Sequence, residues 1–221
     1  MYRYITLFTG LIASTASFSA SNEPIRFLGK GPNAIVREGS VLIAPSHEYN
    51  HFLMRAAVFV FALGLNELNE YCVRGVIVDH PTPFAIGEMS GVEGKLGENL
   101  LWRGGDMGNE AAILLHSCDE TEGEMIGMSG IYQGGLQDAM KLVDAGKVTG
   151  DDFKFFFNYI EFTESELDNL LKDVDSDGDA WASVEVNQNV ILSSEYGRGD
   201  CWSMLRNKLR DQGALEKSAE E

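Results

Sequence analysis

Two short apolar runs lie on either side of a glycine-rich turn near the middle of the chain. The runs are Leu100–Trp102 and Ala111–Leu115, and the turn between them contains Gly104, Gly105 and Asp106. Glycine and aspartate favour the backbone conformations that a chain reversal needs. This pattern predicts a β-hairpin at the centre of a sheet.

Other apolar runs predict five further strands, because branched and aromatic residues dominate them. In the longest run, residues 152–162, the side chains of Phe153, Phe155 and Phe157 alternate onto one face, which is typical of a buried strand. The stretch Phe84–Asn99 is rich in glycine and poorly patterned, so we interpret it as a loop with room for one helical turn. The predicted strands are Ser40–Ala44, Arg55–Leu63, Val73–Asp79, Asp152–Phe162 and Trp181–Val186.

Three segments carry helix signals. A helical repeat of apolar residues starts at Leu136 and stops at Gly146. Thr163 and Glu166 form a capping box before a second amphipathic segment, and Asp200 is placed to cap a third. Because strands and helices are mixed along the chain, the sequence predicts a single α+β domain over residues 39–212.

The first residues have the pattern of a targeting sequence. Residues 1–20 contain one early cation, a short apolar stretch and then small residues, as signal peptides do. Phe18 after the small residues resembles the boundary of bipartite plastid presequences, and residues 21–38 are interpreted as a transit segment or linker. We therefore expect import into the plastid, with the secretory pathway as the alternative. Residues 213–221 are expected to be a frayed acidic tail.

The chain is strongly acidic. Its 221 residues include 34 acidic and 17 basic side chains, which gives a formal net charge of −17. Such a surface repels phosphate backbones and anionic lipids, so composition argues against nucleic-acid binding and, once the presequence is removed, against membrane binding. The three cysteines are widely spaced and odd in number, which favours buried reduced thiols over disulfides.

Four segments, taken in order, resemble the plant and plastid branch of the AlgH/YqgE family. They are GSVLIAPS at 39–46, VRGVIVDHPTP at 73–83, LLWRGGDMGNEAAILLH at 100–116 and DDFKFFFNYIEFTESELDNLL at 151–171. The resemblance implies a single α+β domain built on a bent, barrel-like mixed β-sheet with flanking helices. It implies no reaction, because the family is largely uncharacterised and only a regulatory role is proposed for some bacterial members.

The chain departs from the family pattern at several positions. Asp79 and His80 stand in place of an Asn-Arg pair, and Asp106 replaces the proline of a Gly-Gly-Pro turn. Asn158 stands where the pattern has the first glycine of Gly-Tyr-Ala-Gly-Trp, and residues 174–179 are an insertion. These departures argue against the retention in this chain of any ligand site that the family has.

Gly104, Gly105, Asp106 and His116 form the candidate ligand cleft. All four lie on the segment that resembles the family's glycine turn and its terminal Leu-His. We favour the plainer interpretation that the turn only reverses the chain and binds no cofactor, since short motifs often match by chance.

Residues 47–51 contain a formal His-Glu-x-x-His motif. On a helix, His47 and His51 would share one face and bind zinc, Glu48 would activate a water, and Glu70 could supply a third ligand. A zinc-dependent hydrolase is therefore the alternative function. Pro45 and the strand-like run after the motif favour a loop instead, so we expect solvated histidines and no bound metal.

The insertion begins like a calcium-binding loop. Asp173, Asp175 and Asp177 occupy the first, third and fifth positions, and Gly178 occupies the sixth. The twelfth position, which needs a bidentate carboxylate, is Val184. We interpret the segment as a solvated acidic turn.

No complete set of catalytic residues is found along the chain. The sequence therefore predicts a non-catalytic domain without a cofactor, which binds a small ligand or an unknown protein partner in an organelle. A regulatory role would follow only by analogy with the family.

Overall fold

The computed structural model describes residues 24–215, and it confirms an α+β fold. The expected signal peptide, Phe18 and the end of the acidic tail lie outside these residues. The strands are β1 (Ile25–Lys30), β2 (Val41–Ile43), β3 (Ala57–Leu65), β4 (Tyr71–Ile77), β5 (Pro81–Ala85), β6 (Leu100–Arg103), β7 (Met107–His116), β8 (Glu124–Met125), β9 (Tyr132–Gln133), β10 (Phe153–Thr163) and β11 (Ala182–Val186). The α-helices are α1 (Ile86–Ser90), α2 (Leu136–Asp144), α3 (Glu164–Lys172), α4 (Gln188–Leu192) and α5 (Asp200–Asp211).

The strands form one large open sheet in the order β1-β11-β2-β3-β4-β10-β7-β9-β8, with β5 and β6 beside this path. Most neighbours are antiparallel, and β6 is parallel to β10. Strand β1 pairs with β11 over Ile25–Lys30, which lies inside the segment interpreted as a transit segment or linker. The folded sheet therefore begins ahead of Gly39, and the expected domain boundary moves towards the N-terminus.

Strand β10 is the centre of the sheet, because three strands pair with it. Its second half is antiparallel to β4, and its first half lies between β6 and β7. Phe155 packs on one face with α1 and α2, and Phe156 packs on the other face with α4 and α5. The aromatic side chains on both faces therefore mark a central strand that is covered on both sides, and such strands are apolar along their whole length.

The predicted central hairpin is wrong. Strands β6 and β7 do not pair with each other in the described residues, since Phe156 of β10 pairs with Trp102 on one side and Ile113 on the other. The turn between them crosses β10 instead. A Cβ on Gly105 would lie 2.2 Å from the carbonyl carbon and oxygen of Tyr159, so only glycine allows this crossing.

The helix predictions are largely confirmed. Helix α2 begins at Leu136, as the helical repeat indicates. Thr163 caps α3 by accepting a hydrogen bond from the Glu166 N–H, while the Glu166 carboxylate accepts one from the Thr163 N–H. Within the described residues, no helix is long and apolar enough to span a membrane.

Candidate functional site

A buried lysine stands at the beginning of β10. Lys154 is 3% exposed, and its Nζ donates hydrogen bonds to the carbonyls of Val78 (2.7 Å), Ile191 (3.0 Å) and Ser193 (2.7 Å). The same atom lies 3.8 Å from the centre of the Trp102 ring. Burial lowers the pKa of Lys154 to about 7, and the three carbonyls and the ring face favour its charged form. Lys154 therefore ties the end of β4 to the end of α4.

A buried carboxylate caps α5 from outside the helix. Asp79 follows β4 and is fully buried, and its Oδ2 accepts hydrogen bonds from the N–H groups of Cys201 (3.0 Å) and Trp202 (3.3 Å). The sequence predicted that Asp200 caps this helix, but the Asp200 carboxylate accepts from the Gly197 N–H. Burial raises the pKa of Asp79 to about 6, although the two N–H groups and Lys154 act in the opposite direction.

Three polar atoms of this region are buried without a hydrogen-bond partner among residues 24–215. They are Oδ1 of Asp79, Nε2 of His80 and the hydroxyl of Tyr196. Burial, followed by the charges of Arg198 and Arg103, lowers the pKa of His80 to about 4. Burial likewise raises the pKa of Tyr196 and of the Cys201 thiol. Clustered groups with shifted pKa values mark candidate functional sites.

The substitution Asp79→Asn tests the electrostatics of this region. The folded-state pKa of about 6 exceeds the unfolded value of about 4, so the stability that Asp79 contributes is present below pH 4 and is lost as pH rises through 6. The amide oxygen can still accept from α5. We expect the free energy of unfolding of the variant, relative to the wild type, to rise by about 2 kcal/mol between pH 4 and pH 7.

Chemical denaturation at several pH values measures this difference. The control is Asp144→Asn, at an exposed carboxylate on α2. If the difference between Asp79→Asn and the wild type does not change with pH, the buried carboxylate is not responsible for the pH dependence.

A cavity of about 670 Å³ opens beside Lys154. Trp102, Phe153 and Lys154 lie at its base, and Leu192 and Ser194 form the wall towards α4. Cavities of this size hold small organic ligands in other proteins. The remaining lining residues are Lys95, Glu98, Asn99, Leu100, Val143, Gly146, Val148, Thr149, Gly150 and Asp151.

The residues of the predicted ligand cleft do not converge. Gly104 and Gly105 lie against the backbone of β10, and Asp106 is exposed at the beginning of β7. His116 is buried at the other end of this ten-residue strand, where its Nε2 is 3.1 Å from the Gly134 carbonyl. The glycines serve the crossing of β10, and the pocket that Asp106 lines together with Phe52 and Ile160 does not include His116.

The three residues of the zinc alternative are also dispersed. Residues 46–55 form turns and extended chain rather than a helix. His51 is exposed and packs edge-on against Phe52, and Glu70 lies in the turn between β3 and β4, where its carboxylate contacts Asn66. Glu48 accepts a hydrogen bond from the Trp181 indole at 3.2 Å. The motif therefore lacks the helical geometry of zinc hydrolases.

His47 is not solvated as expected. Its side chain is 19% exposed and lies against the acidic insertion, with Nδ1 3.3 Å from Oδ2 of Asp175 and Nε2 3.7 Å from Oδ2 of Asp173. The His-Glu-x-x-His segment and the calcium-loop-like segment, neither of which indicated a metal site by itself, are therefore in contact in the structure.

Comparison with known proteins identifies the family. Residues 53–213 match the family described as DUF179, AlgH-like. This chain belongs to the AlgH-like family. None of the curated proteins compared with the chain matches its sequence.

Two solved structures share the AlgH-like fold. A crystal structure of a protein from Corynebacterium diphtheriae is 14% identical, with a TM-score of 0.60 over 79% of this chain and 87% of that one. The solution structure of the AlgH protein from Pseudomonas aeruginosa is 13% identical, with a TM-score of 0.52 over 82% of this chain and 95% of that one. At these identities the likeness establishes the fold alone, and the plant and plastid branch stays a prediction.

Sequence reasoning missed the part that Lys154 plays in this AlgH-like domain. The signal was present, because Lys154 is the one charged residue between Phe153 and Ile160. Lysine is almost never fully buried unless it is paired. Asp79 was noticed only as a departure from the family pattern, and its contact with α5 joins positions 122 residues apart.

Proposed function

We propose that this AlgH-like protein is a non-catalytic binding domain, and that it holds a small organic molecule in the cleft beside Lys154. The observation that carries the proposal is the 670 Å³ cavity, which is lined in part by the buried Lys154. Burial lowers the pKa of Lys154 to about 7, and its charge interacts with that of Asp79. Binding sites are commonly apolar clefts with a few polar groups and with titratable residues of shifted pKa nearby.

The lining of the cleft indicates the kind of ligand. Leu100, Val143, Val148 and Leu192 offer apolar surface, whereas side chains at the rim offer both charges and hydrogen bonds. A molecule with an apolar body and peripheral hydrogen-bonding groups matches this arrangement.

The polar groups of Lys154 and Asp79 are already engaged in hydrogen bonds within the protein, which supports binding rather than catalysis. All three protons of the Lys154 ammonium are donated to carbonyls, so none is available to a substrate. One oxygen of Asp79 is occupied by α5. A general acid or base must reach the reacting atom, and these two groups instead hold secondary-structure elements together.

The substitution Leu100→Trp tests the cleft. Leu100 is 36% exposed and lines the cavity, so a tryptophan there fills space without replacing a core residue. The full chain is incubated with fractionated small molecules from its native source, and bound mass is measured by native mass spectrometry. We expect the wild type to retain a small molecule and the variant to bind it at least about tenfold more weakly, because its site is blocked.

The matched control is Met128→Trp. Met128 is 91% exposed and lines a different cavity, of about 580 Å³, so this variant adds the same side chain elsewhere. If the wild type retains no small molecule, or if Leu100→Trp and Met128→Trp bind it equally, the cleft beside Lys154 is not the binding site.

A further inference from the structure

The first histidine of the His-Glu-x-x-His segment meets the acidic insertion at the surface. Ring nitrogens of His47 and carboxylate oxygens of Asp175 and Asp179 include a set of three atoms that all lie within 4.8 Å of one another. His47 precedes the part of the chain that matches the family, whereas Asp175 and Asp179 lie within it. The cluster therefore joins two segments that are far apart in the sequence.

The imidazole of His47 points to a missing partner. Both of its ring nitrogens are shielded from solvent, and neither makes a hydrogen bond to a described residue. Carboxylate oxygens of Asp175 and Asp173 lie 3.3 and 3.7 Å from these nitrogens, but without hydrogen-bond geometry. Each nitrogen therefore gives up a hydrogen bond with water and does not regain one, which costs free energy. A bound cation would satisfy one nitrogen directly.

We propose that His47, Asp175 and Asp179 bind a divalent transition-metal ion of the zinc class and thereby fasten the 46–55 segment to the acidic insertion. Zinc prefers imidazole nitrogen and carboxylate oxygen at about 2.0–2.2 Å, commonly with three protein ligands and a water. Oxygen-only cations such as calcium would not use His47. In a tetrahedral zinc site with bonds of about 2.0–2.2 Å, the ligand atoms are about 3.3–3.6 Å apart. Ligand atoms that lie within 4.8 Å of one another therefore reach this geometry by inward movements of less than about 1 Å each.

Asp175 is oriented for such a role by its own loop. Its Oδ1 accepts hydrogen bonds from the N–H groups of Asp177 (2.9 Å) and Asp179 (2.8 Å), and this leaves Oδ2 directed towards His47. Hydrogen bonds of this kind fix ligating carboxylates in metal sites.

Asp179 retains a lone pair for a metal although it also binds Arg206. Its Oδ2 accepts from Ser46 N and from Arg206 Nη2, whereas its Oδ1 accepts from Arg206 alone. Burial by itself would raise the pKa of Asp179, but hydrogen bonds from Ser46 and Arg206 lower it and keep the carboxylate ionised. A carboxylate oxygen can accept from more than one partner, so Oδ1 can take a metal as well.

The local charge also favours a dication. Four aspartates lie between positions 173 and 179, and two cations reach this segment. Arg206 pairs with Asp179, and Lys30 Nζ donates a hydrogen bond to the carbonyl of Gly178. Repulsion among carboxylates this close is relieved when a divalent ion binds between them. The ion would hold together two segments that already share the hydrogen bond from the Ser46 N–H to Oδ2 of Asp179.

Zinc titration of the full chain tests the proposal. The protein is stripped with a chelator, and zinc chloride or calcium chloride is added while heat of binding and thermal stability are recorded. We expect one zinc ion per chain, a higher melting temperature with zinc, and little response to calcium. His47→Gln and Asp175→Asn should each weaken zinc binding at least about tenfold, because each removes a ligand.

His51→Gln is the matched control, since it makes the same change in the same segment at an exposed histidine. It should bind zinc as the wild type does. Chelated His47→Gln should unfold like the chelated wild type, which separates loss of metal from loss of structure. The proposal is overturned if the wild type binds no zinc, if His51→Gln weakens binding as much as His47→Gln, or if the cation bound is calcium and His47→Gln leaves it unchanged.

Discussion

Lys154→Met is expected to lower the free energy of unfolding by about 3–5 kcal/mol, because it leaves the carbonyls of Val78, Ile191 and Ser193 buried without a donor. Methionine has a similar length and is apolar, so the change removes the ammonium with little change in volume. The contact with the Trp102 ring is lost at the same time. Urea denaturation at pH 7 measures the effect.

The matched control is Lys172→Met, which removes a lysine whose side chain is 60% exposed. Lys172 pairs with Asp168 one turn away on α3, and exposed pairs of this kind contribute less than about 1 kcal/mol. If Lys154→Met costs no more than Lys172→Met, the three carbonyls find other donors and Lys154 does not anchor α4.

The role of Lys154 connects the fold to the proposed binding cleft. Two of its acceptors, Ile191 and Ser193, belong to the end of α4, where unpaired carbonyls attract a cation. Leu192 between them lines the cleft. The buried ammonium therefore fixes the wall against which a ligand would bind, while its own protons stay occupied.

The features that the sequence predicted well are those that depend on nearby residues. The capping box at Thr163 joins positions three apart, and the helical repeat from Leu136 lies within a few turns. Such signals act before any tertiary contact forms. Strands β3, β4 and β10 were likewise found, because runs of branched and aromatic residues mark buried strands.

The prediction of the central hairpin located both strands correctly but paired them wrongly. Both β6 and β7 exist where the apolar runs indicate, but each takes β10 as its neighbour, some fifty residues later in the chain. A glycine-rich turn between two strands looks the same whether the strands pair or enclose a third. The contacts of His47 could not be predicted for the same reason, because the aspartates that lie beside it in space are distant from it in the sequence.

Gly105→Ala is expected to destabilise the fold by more than about 3 kcal/mol, or to prevent folding at ordinary temperature. The added methyl would lie 2.2 Å from the carbonyl carbon and oxygen of Tyr159 and 2.6 Å from Ile160 N. Neither side can yield, because β10 is paired at this point with β4 on one edge and β7 on the other. Thermal and urea denaturation of the variant measure the loss.

Gly64→Ala makes the same change in β3, where no atom lies within 4 Å of the added methyl, and it should be neutral or slightly stabilising. The comparison also decides between the two interpretations of the glycine turn. A Gly105→Ala protein that is as stable as Gly64→Ala but loses a ligand would restore the turn as a binding cleft. A large loss of stability in Gly105→Ala alone means that the turn is glycine-rich because the chain must pass over the backbone of β10.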